Sequence, residues 1–295
     1  MYRASSAHRA LFALAALALL PLAAAGAREE RTPDDPGGGS AGGPAASAPA
    51  GPDEVAHILR QAQRVQTKDV AAWVHFTFGR SWLREEYDDS GSTLSRESLE
   101  FRIAPERGGF DEVLVSRNGA PPTAQEIEEH RREARFTKHY LTMVRGDAQS
   151  SEGGYSLAHL LHMSSYRYAG REAFEGVPCH RLDFSPDPEH ARGGLSGKIA
   201  SAMIGSLWIS VDGYHLAGAH SWTIRPISIY LGLSKVHDLD IRMTSRPTPD
   251  GHWLPHRIEV RSKVRILINT VDRRSVYEYF DYQPLRADAS VSAGG

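Results

Sequence analysis

Few residues of this chain stand at spacings that could do chemistry. His159 and His162 lie three apart in HLLH, where one face of a helix would carry two imidazoles able to share a metal. No acidic or third ligand lies nearby in sequence, so ordinary polar positions on an amphipathic turn are the better reading. Asp187 and Glu189 flank Pro188 in SPDPEHARGG and read as turn chemistry. The stretch GGLSGK (193–198) is glycine-rich before a helix, but it lacks the spacing of a phosphate loop and follows no buried parallel strand. Cys179 is the only cysteine, so no intramolecular disulfide can form, and its apolar-polar strand setting predicts a buried, inert thiol. The chain contains no G-x-S-x-G, no H-E-x-x-H and no Cys/His framework. No catalytic residue, metal ligand or cofactor is therefore predicted. A hydrolase built on scattered histidines ranks last among the functions weighed below.

The tryptophans offer a different chemistry. Trp73, Trp82, Trp208, Trp222 and Trp253 all fall on or beside predicted strands. Each is read either as core packing or as the wall of an aromatic-lined apolar cavity.

The elements that must position these residues are mostly strands. A helix is expected from an N-cap at Asp53, with Val55, Ile58, Leu59, Ala62 and Val65 on one side. Val74, Phe76 and Phe78 then alternate with polar residues, as do Leu99, Phe101 and Ile103. Val113 to Ser116 makes a third strand, closed by the turn pair Asn118-Gly119. Thr123 and Glu126 form a capping box that opens a helix to about Arg145, polar in its first half and apolar in its second. Short helices are expected near 157–163 and 195–204. Strands return at Tyr166, at Leu182 and Phe184, and at Leu207, Ile209 and Val211, the last ending in Asp212-Gly213. The clearest strand carries Ile258, Val260, Val264 and Ile266 on one face and Arg257, Glu259, Arg261, Lys263 and Arg265 on the other, with Ser262 the one polar interruption.

Short turns imply antiparallel neighbours, and charged faces imply one side in water. The fold class is α+β: a strongly curved antiparallel sheet, or incomplete β-barrel, of about 10–11 strands with helices covering the concave face. Wide barrels enclose cavities, and the predicted helices look too small to fill this one. The expected cavity-lining positions are Phe76, Phe78, Leu99 and Phe101 from the first strands, and Leu207, Ile209, Ile241, Ile258 and Val260 from the later ones, with helical Leu141 and Val144 plugging the space. A closed dry core built from the same residues is the competing reading.

Several segments, in order, resemble a known family. SRNGAPPTAQEIEEHRREAR (116–135) resembles a recurrent R-x-G-x-P-x-x-x-E turn and helix. YRYAGREAFEGVPCHRLDFSPDP (166–188) resembles a G-x-E-x-x-x-G-x-x-x-x-x-L-x-F-x-P strand pair. GSLWISVDGYHLAGAHS (205–221) resembles a G-x-L-W-I-D hairpin, with Ser210 where an Asp is frequent, and GHWLPHRIEVRS (251–262) is similar to a G-x-W-L-P strand. These are patterns of secreted bacterial proteins of the LolA/LolB-like superfamily, the outer-membrane lipoprotein-sorting carriers. The resemblance covers most of Trp73 to Leu285. It implies an incomplete β-barrel with helices over its mouth and a hydrophobic cavity that shields acyl chains. The long 116–146 insert departs from the compact carrier pattern, and no lipid-contacting residue of the carriers matches a position here.

The amino terminus reads as a secretory signal. Arg3 and Arg9 precede an unbroken apolar run, Ala10 to Ala25, and Ala25-Gly26-Ala27 is an A-x-A cleavage site. The run contains Pro21 and falls short of the ~20 residues a span needs, so cleavage near Ala27 is expected over anchoring. No cysteine follows for lipid attachment. No later stretch is long and apolar enough to span a bilayer, so a soluble mature protein without a transmembrane segment is expected. Of residues 28–52, 18 of 25 are Gly, Pro, Ala or Ser, the composition of a flexible tether. The predicted organisation is a signal peptide (1–27), a tether (28–52), one folded domain (53–285) and a disordered tail (286–295). A net charge of -2 gives no reason to expect a nucleic-acid partner.

The leading expectation is a soluble periplasmic carrier of a lipid, a lipoprotein or another apolar ligand. The alternative, also implied by the resemblance, is a periplasmic sensor of the envelope-stress-regulator type, docking an envelope protein through the tether and the polar half of the 123–146 helix.

Overall fold

The first described element is a helix, α1 (Pro52–Trp73). The N-cap is Gly51, not Asp53 as the sequence reading has it, and the helix begins at Pro52. Proline suits the first helical position because its missing N–H would be unpaired there anyway. Asp53 and Glu54 then lie in the first turn, where the positive end of the helix dipole favours acids. The helix runs past its expected end and takes in Trp73, which leaves Val74 as the C-cap and starts the first strand at Phe76. Tertiary packing explains the extension: Ala72 and Trp73 bury themselves in the main core.

A computed structural model describes residues 51–106, 109–132, 163–189, 194–229 and 234–285. The predicted signal peptide, nearly all of the tether, the tail, and Leu141, Val144, His159 and His162 lie outside the described residues.

Among the described residues eleven strands form one sheet: β1 (Phe76–Tyr87), β2 (Thr93–Glu106), β3 (Gly109–Arg117), β4 (Ser164–Phe174), β5 (Val177–Pro186), β6 (Met203–Ser210), β7 (Leu216–Thr223), β8 (Ile227–Ile229), β9 (Ser234–Pro247), β10 (Trp253–Ile266) and β11 (Asn269–Pro284). Their order is β3-β2-β1-β11-β10-β9-β7-β6-β5-β4, with β8 on the end of β9. Every pairing is antiparallel. The sheet curves but does not close, and among the described residues β3 and β4 are its two edges. Helix α2 (124–132) follows β3, and a short helix, α3 (Gly194–Ala200), precedes β6.

Helix α1, about 33 Å long at 1.5 Å per residue, lies on the concave face. Near its start Val55, Ile58 and Ala62 pack on Leu182 of β5 and Ile209 of β6. At its end Trp73 joins Phe76, Phe78, Phe101, Ile241 and Ile258. The convex face carries an ion-pair ladder across four strands. Arg96 lies 3.7 Å from Glu85, Glu85 3.1 Å from Arg274, Arg274 2.7 Å from Glu259, and Glu259 3.2 Å from Arg257. This is the water-facing side that the alternation on β10 predicts.

Curvature needs close approach between layers of side chains. At Gly205 an added Cβ would sit 2.2 Å from the backbone oxygen of His220 and 2.8 Å from the Phe184 ring. At Gly79 it would sit 2.3 Å from the Phe280 ring. An aromatic from the adjoining strand covers each of these glycines, a device that lets a sheet bend without leaving a hole.

Candidate functional site

The pairing register carries a single row of side chains around the concave face. Leu99 on β2 lies opposite Trp82 on β1, Trp82 opposite Tyr277 on β11, and Tyr277 opposite Ile258 on β10. Ile258 faces Met243 on β9, which faces Ala219 on β7. Leu207, Leu182 and Tyr168 continue the row across β6, β5 and β4. No charged side chain interrupts it between β2 and β4.

The row marks a boundary inside the curve. On one side of it, along β1, β2 and β9 to β11, the space is filled. Trp73 stacks on Phe78 at 5.7 Å, Phe78 lies 5.1 Å from Tyr282, and Phe101, Ile103, Leu114 and Leu254 pack around them. Phe76, Phe78 and Phe101 on this side, Ile258 in the row, and Ile241 and Val260 just beyond it, all expected to line a cavity, are buried together in one cluster. Ile209 is buried instead under the start of α1, and Leu207 is buried in the row itself. Leu99, with Trp82, Tyr277, Met243 and Leu239, is only partly buried and rests on the edge of the packed cluster. Trp82 and Tyr277 stack at 5.6 Å, 15° from parallel, which makes a flat aromatic platform.

Beyond the platform the face differs from one side of the sheet to the other. On β9 and β10 it stays apolar, with Ile241 opposite Val260. On β1, β2, β3 and β11 it becomes charged. Arg84 pairs with Glu97, and Glu97 also pairs with Arg117 at 2.7 Å. Arg273 pairs with Glu86. Arg80, nearer the core, forms a two-pronged pair with Glu112 at 2.8 and 3.0 Å. Burial pulls the Arg80 guanidinium down, but the Glu112 carboxylate, with smaller contributions from Tyr279 and Tyr277, outweighs it, so it ends above its usual range. At Arg273 burial wins over Glu86 and the group is lowered. Burial pushes the Tyr277 and Tyr279 phenols upward, so both are neutral hydrogen-bonding groups at pH 7.

Helix α2 closes over this charged corner. The predicted capping box is present: the Glu126 carboxylate accepts from the Thr123 backbone N–H at 2.8 Å, and Thr123 Oγ1 accepts from the Glu126 N–H at 3.3 Å. Glu126 also pairs with Arg117 at 3.1 Å, and the His130 ring lies 4.7 Å from Phe101. The turn that delivers α2 uses Asn118 and Gly119, both at positive φ, as their residue types predict.

A second polar cluster ties α1 to the opposite rim. Asp69 is 2% exposed and accepts from His215 at 2.8 Å and, at longer range, from His252 at 3.4 Å. His215 in turn stacks on Trp253 at 5.5 Å. One carboxylate thereby clamps the β6–β7 and β9–β10 hairpins to the helix. Among the described residues no group of three His, Cys, Asp or Glu side chains is placed to hold a metal ion. Ser210 serves the same hairpin: its Oγ donates to the Asp212 carbonyl and accepts from the His215 N–H. Cys179 is fully buried, and burial pushes its thiol up to about 11.

The inward charges and the Asp69 clamp are not among the residues singled out from the sequence. The charges had a signal. Counting alternate positions from Phe76 gives Phe, Phe, Arg, Trp, Arg, Glu, so the concave side of β1 passes from apolar to charged partway along. The clamp had none, since Asp69 meets partners 146 and 183 residues away.

The fold and this face define a class: an open antiparallel half-barrel with a helix laid in its concavity and a polar-apolar boundary inside. No family model matches the chain, and no curated protein matches it. Among solved structures it is similar to a LolA superfamily protein, NE2245 from Nitrosomonas europaea, at 10% identity over 78% of this chain and 93% of that one, with a TM-score of 0.31. It is also similar to a putative outer membrane lipoprotein-sorting protein domain from Vibrio parahaemolyticus, at 12% identity over 78% and 92%, TM-score 0.32. A Pseudomonas aeruginosa MucA/MucB complex matches at 8% identity over 77% and 100%, TM-score 0.21. Identity and superposition this low carry no residue role from those proteins to this chain. Among the described residues no helix is long and apolar enough to cross a membrane.

Proposed function

We propose that this protein is an exported carrier that holds an amphiphilic ligand, a lipid or an acylated protein, against the concave face of its half-barrel. The observation that supports this reading is the uncharged row from Leu99 to Tyr168, whose Leu99, Trp82, Tyr277 and Met243 are left partly uncovered inside an open sheet. Burying acyl chain contributes about 0.8 kcal/mol per CH₂, so a stretch of apolar wall is enough to draw a chain out of water. The packed cluster on one side narrows the expected contact residues. Phe76, Phe78 and Phe101 serve as the floor, while Leu99, Trp82, Tyr277, Leu239 and Met243 take the acyl chain. The Arg84–Glu97–Arg117 corner lies beside it, placed for a polar head.

The test is direct. The processed chain, purified from the periplasm of an expressing bacterium, is extracted with organic solvent and assayed for uptake of a fluorescent fatty-acyl probe. Co-purifying lipid, together with uptake that falls at least about tenfold in Trp82→Asp, is expected, since that change places a charge in the apolar row. No extracted lipid and no uptake by the unaltered chain would sink the proposal.

A second reading, an interaction protein of the envelope, is favoured by one observation. Among the described residues edge strand β3 pairs only with β2, and it exposes Val113 and Val115; its free backbone edge is one to which a partner strand could add.

A further inference from the structure

Among the described tight turns, one hairpin departs from a common pattern. The turns after β1, β3, β4, β6 and β9 each contain a glycine at positive φ: Gly91, Gly119, Gly176, Gly213 and Gly251. The β4–β5 hairpin shows the usual two-residue solution, Glu175-Gly176 between the paired Phe174 and Val177. The β10–β11 hairpin has the same loop length, between paired Ile266 and Asn269, but fills it with Leu267-Ile268. Leu267 is held at φ 56°, a region that a bulky side chain enters only at a steric cost. Among the described residues nothing repays that cost: Leu267 is 63% exposed and Ile268 92%. A tight turn occupied by two exposed aliphatic residues costs stability twice, once in backbone strain and once in apolar surface left in water.

The flanks are cationic. Arg265 on β10 lies directly opposite Lys235 on β9, a like-charge pair that opposes strand pairing. Among the described residues neither has a carboxylate within ion-pair distance. An anion at this place would relieve both. The antiparallel order brings the start of β2 and the end of β7 to the same rim of the barrel, and there Leu94 and Ile224 are also exposed, at 68% and 54%.

We infer that the β10–β11 tip is a membrane anchor that inserts Leu267 and Ile268 into the surface of an anionic phospholipid bilayer while Arg265 and Lys235 meet its headgroups. A bilayer fits better than a second copy of the chain. A stable protein interface needs about 800 Å² from each partner, and two side chains on a narrow hairpin supply only a fraction of that. A bilayer surface accepts a small apolar wedge, and each flanking cation strengthens the contact about fivefold. The inference does not depend on what the concave face binds.

The experiment is co-sedimentation of the processed chain with vesicles of phosphatidylcholine alone and of phosphatidylcholine with 30 mol% phosphatidylglycerol, a composition chosen for about a physiological surface charge. Binding to the anionic vesicles that weakens with salt is expected. The double variant Leu267→Gly, Ile268→Asn puts glycine at the one position of the turn that has positive φ. It should fold with an equal or higher melting temperature, keep its acyl-probe uptake, and bind anionic vesicles about tenfold or more weakly. Lys235→Glu with Arg265→Glu should abolish the preference for anionic vesicles. Equal vesicle binding by the Gly-Asn variant would overturn the inference. So would a concentration-dependent dimer that this variant dissolves in a protein that ignores vesicles, because the tip would then join copies of the chain.

Discussion

Removing the carboxylate of Asp69 tests whether the helix is clamped to the barrel as described. In Asp69→Ala the side chain that accepts from His215 at 2.8 Å and from His252 at 3.4 Å disappears from a site only 2% exposed. A hydrogen bond to a charged group contributes about 1.5–3 kcal/mol. The short contact counts in full. The longer one counts for little, because the His252 side chain is 38% exposed and can turn to water. Relief of the buried carboxylate's desolvation offsets part of the loss. The expected cost is about 2 kcal/mol, or about 4–8 °C in melting temperature for a domain of this size. Thermal unfolding followed by circular dichroism at pH 7 measures it. A cycle with His215→Ala separates the clamp from simple cavity formation, with an expected coupling of about 1 kcal/mol or more between the two sites. A melting temperature within a degree of the unaltered chain, or additive single variants, would refute the clamp.

Two further outcomes follow from the geometry. Gly205→Ala should destabilise by about 2–3 kcal/mol or prevent folding, since its Cβ would meet the His220 carbonyl oxygen at 2.2 Å and backbone cannot step aside as a side chain can; near-neutral urea denaturation would contradict the close approach that bends the sheet there. Arg274 joins Glu85 and Glu259 on the convex ladder, and both carboxylates are lowered, Glu85 against its own desolvation by hydrogen bonds from Tyr87 and Arg274, Glu259 chiefly by Arg274. Groups depressed by folding contribute stability that is present above the ordinary glutamate range and is lost as pH falls through their folded values. Melting temperature should therefore decline below about pH 4.3, and Arg274→Gln should flatten that decline, whereas parallel pH profiles for the two proteins would count against the ladder's role.

The strands were legible because alternation survives without context. The concave sides of β2 and β10 match the apolar positions in their sequences, and the Asn118-Gly119 and Thr123–Glu126 signals lie where local chemistry puts them. The end of α1 was not legible. Val74, Phe76 and Phe78 alternate like a strand from the beginning, and only the socket formed by Phe78, Phe110 and Tyr279 draws Trp73 into the last turn of a helix. The division of the apolar set was hidden too. Phe101 and Leu99 read alike in sequence, yet Phe101 lies under the packed cluster and Leu99 at its margin, because depth in the barrel depends on which residues of β1, β9 and β11 stand beside them.

By itself the sequence determined the export signal as an expectation, the antiparallel class, the in-out pattern of most strands, and the absence of recognised catalytic motifs. These rest on contacts within a few residues or on a period of two, which the chain carries wherever it goes. The tertiary structure decided that the sheet stays open, that charge turns inward along β1, β2, β3 and β11, that Asp69 meets two distant histidines, and that Leu267 and Ile268 are left in water at a rim. Each of these depends on which distant strands become neighbours, and that choice is made by the free energy of the whole packed assembly, which no local stretch of sequence contains.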